Sequence, residues 1–105
     1  VILKELIERL EKEDPDLVLP IGWHDAHSYR GDYSQLGLEP RENVAVADCL
    51  SIVRQALGWT YGGYKGGDYT MHEYTDCYLA EWGDIGEEIG HRFLDLNIAA
   101  AKAAR

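Results

Sequence analysis

The sequence predicts one α+β domain over residues 1–105: a small antiparallel sheet, a helix at each terminus and one central helix, in the order α-β-β-α-β-β-α. Three observations lead there. Apolar residues recur at spacings of three and four near the start, the middle and the end of the chain. Between those stretches lie short runs with period-two alternation. Clusters of Gly, Pro and Asp punctuate the runs as turns.

The elements follow in order. "VILKELIERLEKED" is an amphipathic helix with Ile2, Leu3, Leu6, Ile7 and Leu10 on one stripe, and Pro15 stops it. "LVLPIGW" (17–23) is extended, and Pro20 marks it as an edge strand, because proline offers no N–H to a neighbour. "HDAHSYRGDYSQ" (24–35) reads as a long polar loop or wide hairpin, and "LGLEP" (36–40) as a short strand. A helix then carries Val46, Cys49, Leu50, Val53 and Leu57 on one face and ends at Gly58. "WTYGGY" and "DYTM" read as strand, Gly-rich turn and strand, and "CYLAEW" (77–82) as a further strand. From "DIGEEIGHRF" onward the chain reads as helix, with Ile85, Ile89, Phe93 and Leu96 aligned and an Ala-rich end.

Composition narrows the function. Hydrophobic residues are 46% and charged residues 28%, a globular balance rather than a disordered one. The apolar runs are too short to span a bilayer, no signal peptide is visible, and the expected compartment is cytoplasmic. Cys49 and Cys77 fall on inward faces and are expected as free thiols. A formal net charge of -9 argues against a duplex nucleic-acid surface, which needs Lys and Arg against phosphates. It leaves room for a small anion in a local pocket. Between residues 13 and 91 the only cations are Arg30, Arg41, Arg54 and Lys65.

Two of those four stand in nearly the same motif, "YRGDY" at 29–33 and "YKGGDY" at 64–69. Glycine lets a ligand approach backbone N–H groups. Arg grips phosphate with parallel hydrogen bonds. Tyr offers a flat face and a hydroxyl. The candidate ligand-binding residues are therefore Tyr29, Arg30, Gly31, Tyr33, Tyr64, Lys65, Gly66, Gly67 and Tyr69. Gly-Asp and Gly-Gly-Asp are also ordinary turn formers, so one turn geometry reached twice explains the motif as well. Neither loop is a P-loop, since no GxxxxGK[ST] occurs. Seven Tyr and three Trp against one Phe favour recognition surfaces over a plain core.

Other chemistry is thinner. His24, Asp25, His27, His72 and Glu73 are metal-capable types, but their spacing matches no zinc pattern, and neither metal nor cofactor is expected. No GxSxG or other nucleophile motif is present, and no catalytic residue is assigned. His27 with Asp32 or Asp68 is a candidate acid–base pairing.

The combination "HSYRGDY…LEP" followed by "GYKGGDYTM" resembles small phage and prophage proteins, over roughly residues 17–83. The pattern is similar to anti-defence sponges that sequester immune nucleotide signals, including those directed against Thoeris. The resemblance implies a small, oligomeric, non-enzymatic protein holding a cyclic ADP-ribose-like or cyclic oligonucleotide ligand. Arg30 and Lys65 would then contact phosphate and the nearby tyrosines would stack on a base. Two other classes stay open: an enzyme acting on such a ligand, and an acidic inhibitor of a basic protein partner. A homo-oligomer through the terminal helices is expected, because their stripes exceed what one small sheet covers.

Overall fold

A computed structural model describes all of residues 1–105, and its frame is a long hairpin. Strand β1 (Val18–Ser28) runs antiparallel to β2 (Leu36–Ala45), with a register shift between Trp23 and Asp25. β1 lies at the edge of a sheet ordered β1-β2-β5-β6, which is where Pro20 is tolerated. The strand extends five residues further than the polar run "HDAHS" suggests. His24 and Asp25 face solvent there, whereas His27 and Ser28 are buried, the His27 ring nitrogens facing carbonyl oxygens and the Ser28 hydroxyl donating to one. A strand can bury polar side chains when each finds a partner, and polarity alone then mimics a loop.

Helix α1 (Leu3–Glu11) buries Leu3, Leu6 and Leu10 completely. It packs on α2 (Val46–Ala56), whose buried face is Val46, Cys49, Leu50, Val53 and Ala56. Trp23 in β1 is fully buried and its indole N–H donates to the Cys49 carbonyl at 3.0 Å, tying sheet to helix. Cys49 and Cys77 are buried and unpaired, and burial pushes their thiols up to about 11 and about 12.

After α2, strands β3 (Thr60–Gly62) and β4 (Asp68–Thr70) form a separate two-stranded hairpin. Gly66 and Gly67 turn it with φ of 99° and 84°, a region that side-chain-bearing residues avoid. Strand β5 (Cys77–Leu79) returns to the main sheet and pairs with β2 in parallel. The sheet is thus antiparallel with one parallel pair, because the connection through α2 and the small hairpin is long enough for a crossover. Strand β6 (Glu87–Glu88) pairs antiparallel with β5. A Cβ at Gly86 would overlap the Leu79 carbonyl oxygen, so only glycine allows β6 this close to β5.

The last helix, α3 (His91–Ala103), starts later than its sequence period suggests, and it is phased differently. Leu94, Asn97, Ile98 and Ala101 form its buried face, Ile85 and Leu96 are exposed, and Ile89 is buried from an extended segment. The order of helices and strands matches an α+β domain with terminal and central helices. No helix is long and apolar enough to cross a membrane.

Candidate functional site

The two Tyr-cation-Gly-Asp loops meet. The first is the tip of the β1–β2 hairpin, and the second is the β3–β4 turn. The Arg30 guanidinium lies 4.4 Å from the centre of the Tyr64 ring, and the Tyr33 and Tyr69 rings are 5.6 Å apart. Each loop therefore packs a residue of one motif on a residue of the other. A third segment, the β5–β6 connection, closes the group: Arg30 donates to the Gly83 carbonyl at 3.0 Å, and Trp82 meets Tyr64 edge-on at 6.0 Å.

Between these segments lies an open cleft of about 610 Å³, lined by Arg30, Gly31, Asp32, Tyr33, Lys65, Gly83, Asp84 and Ile85. Of the nine sequence candidates, Arg30, Gly31, Tyr33 and Lys65 line it. Tyr64 sits under the Arg30 guanidinium and is half exposed. Tyr69 packs on Tyr33 without lining the cleft, and Gly66 and Gly67 shape the turn rather than the wall.

Tyr29 has a different position. It is 5% exposed and stacks flat on Tyr78, with ring centres 4.0 Å apart. Its hydroxyl donates to the Gly86 carbonyl and accepts from the Gly86 N–H, both at 3.1 Å. It clamps the third segment to the hairpin and offers no free face to a ligand.

The cleft cations have no carboxylate partner, a state they share with Lys4, Lys12, Arg41 and Arg92. Arg9, Arg54, Lys102 and Arg105 are each ion-paired to a carboxylate, at 2.6 to 2.9 Å. Arg30 and Lys65 make no ion pair, although Asp32 and Asp84 line the same cleft. Hydrogen bonds from the Ser34 hydroxyl and backbone N–H to Oδ1, at 2.7 and 3.1 Å, hold the Asp32 carboxyl below its ordinary range. It is an anion at neutral pH.

The histidines gather elsewhere. His24 Nε2 lies 3.2 Å from Glu39 Oε2, and His27 Nε2 lies 4.0 Å from Glu39 Oε1. Both His27 ring nitrogens face backbone carbonyl oxygens, Ala80 at 2.9 Å and Ser28 at 3.1 Å. No nitrogen is left to pair with Asp32 or Asp68. His72 interacts with Tyr74 instead. No group of three or more His, Cys, Asp or Glu residues is placed to hold a metal ion.

Sequence reading missed the third segment. The sequence pattern places Trp82 at a strand end and Asp84 and Ile85 at a helix start, with Gly83 between them, so the approach of this segment to the loops has no local signal. Asp32 stands in the motif itself, where sequence suggests a turn former or a partner of His27, not a cleft-lining anion. No family model, no curated protein and no solved structure matches this chain.

Proposed function

We propose that this protein binds and sequesters a nucleotide-derived anionic signal without turning it over, so as to block a host antiviral defence. The observation that carries the reading is the convergence of two separate cationic glycine loops on one cleft, with Arg30 and Lys65 free of carboxylate partners. Guanidinium and ammonium groups left unpaired in a chain of net charge -9 are the natural partners of phosphate. The half-exposed rings of Trp82 and Tyr64 beside them, the latter with one face under Arg30, offer aromatic surface to a base. Cyclic ADP-ribose-like and cyclic oligonucleotide ligands combine these parts. The enzyme alternative has less to draw on, since His27 is enclosed by carbonyl oxygens.

Sequestration needs tight binding, and a nanomolar site corresponds to about 12 kcal/mol. One open cleft falls short of that, so a homo-oligomer that closes the cleft belongs to the same proposal. The α1 stripe is not free for this, because Leu3, Leu6 and Leu10 are buried within the chain. The surface left to the terminal helices is the outer side of α3 with the edge of β1. Leu96 is 61% exposed there, beside a shallow groove of Pro20, Ile21, Phe93 and Ala100.

The test is capture and release. The protein is incubated with cyclic ADP-ribose or a cyclic dinucleotide, separated, denatured, and the supernatant analysed by mass spectrometry. Intact ligand at stoichiometric yield is expected. Altered ligand would establish an enzyme, and no capture would leave the acidic protein-inhibitor reading.

A further inference from the structure

The cleft holds as many carboxylates as cations. Asp32 and Asp84 line it together with Arg30 and Lys65, and none of the four makes an ion pair. Asp32 accepts from the Ser34 hydroxyl and backbone N–H at Oδ1, with the Gln35 side chain as a weaker partner, while the Asp84 carboxylate makes no hydrogen bond within the protein. A site built only to maximise phosphate affinity gains nothing from two acidic groups. Their presence raises the cost of every negative charge beyond those that the two cations neutralise. The same groups accept hydrogen bonds from ribose hydroxyls or an exocyclic amine.

We infer that Asp32 and Asp84 act as a charge filter: the cleft takes phosphates linked on both sides, as a diester or an internal diphosphate, each carrying a single charge and flanked by hydroxyl or amino donors. It rejects terminal phosphates, which carry more charge on the same group. This inference rests on the nucleotide-binding reading above and names the residues that set its selectivity.

Three probes share one base and sugar and differ in phosphate charge: 3′,5′-cyclic AMP, 5′-AMP and ATP. Their affinities for the full chain are compared by calorimetry at about 0.15 M salt, where charges beyond about 8 Å are screened. The wild-type protein is expected to prefer cyclic AMP over ATP by about tenfold or more. In the Asp32→Asn, Asp84→Asn double variant that preference should shrink about tenfold, through tighter ATP binding. The asparagine at 32 keeps an acceptor for Ser34, and circular dichroism checks that the fold is unchanged. ATP binding the wild type as tightly as cyclic AMP overturns the inference, as does a variant with an unchanged preference. Binding of no probe also overturns it, while capture of cyclic ADP-ribose or a cyclic dinucleotide is decided separately.

Discussion

Removing one oxygen atom from Tyr29 separates its clamping position from the stacking role that its motif suggests. Tyr29→Phe keeps the ring, and with it the 4.0 Å stack on Tyr78. It deletes two hydrogen bonds to Gly86, one donated and one accepted, each at 3.1 Å. A neutral hydrogen bond contributes about 1 kcal/mol net, and an unsatisfied buried partner costs about 1–3 kcal/mol. Gly86 is only partly covered and water can replace some of the loss. The expected destabilisation is about 1–3 kcal/mol, or a fall in Tm of roughly 5–15 °C for a domain of this size. Thermal unfolding followed by circular dichroism measures it. Binding should weaken as well, because Gly83, Asp84 and Ile85 hang from the clamped segment. A Tm within about 2 °C of wild type, a stability change of well under 1 kcal/mol, would refute the clamp.

The cations differ from Tyr29 and from each other. Lys65→Ala removes a side chain with no hydrogen bond or ion pair in the protein, so calorimetry should show a loss of about 1.5–3 kcal/mol in ligand binding with an unchanged Tm. Arg30→Ala should lose similar binding and also some stability, since Arg30 bonds Gly83 and covers Tyr64. Leu96→Asp should leave the fold intact, because Leu96 is 61% exposed, and should reduce the particle size by light scattering if α3 forms the interface. A wild-type protein that is already monomeric at micromolar concentration contradicts that interface. Ser34→Ala should raise the Asp32 titration toward its ordinary value of 3.8, read by NMR. A carboxyl whose folded pKa is lowered adds stability above its unfolded pKa and loses it as pH falls through the folded one. The variant should therefore differ from wild type in stability near neutral pH, with the difference vanishing in acid.

Much of the fold was legible because two helices state their phase without ambiguity. Leu3, Leu6 and Leu10, and Val46, Cys49, Leu50 and Val53, recur at helical spacing and are the buried faces. The last helix was harder. Ile85, Ile89, Phe93 and Leu96 satisfy the same period, but Gly86 and Gly90 break the chain before His91, and Leu94, Asn97 and Ile98 take the inner face. Asn97 is the informative residue: its side chain accepts from the Ile21 N–H and donates to the Ile21 carbonyl, occupying an edge-strand position. A polar residue that points inward to satisfy backbone cannot be distinguished from a solvent-facing one by polarity. His27 and Ser28 hid the second half of β1 for the same reason.

For the site, local chemistry was readable and tertiary partnership was not. The repeated motif marked Arg30 and Lys65, which line one cleft. Nothing in sequence spacing separates Tyr29, turned inward onto Tyr78, from Tyr33, turned to the cleft. Residues 82–85 are far along the chain from both loops, and they arrive through the pairing of β5 with β2. Long-range strand pairing leaves no periodic trace in the segments that follow it.

The most direct measurement of the central claim is an amide and indole NMR titration of the wild-type protein with the ligand that it captures. Shifts are expected at Arg30, Gly31, Lys65, Gly83 and Asp84 and at the Trp82 indole, in both loops at the same ligand ratio. Shifts confined to one loop, or centred on the separate polar cleft of His24, Arg41 and Asp48, would contradict a single site shared by the two motifs.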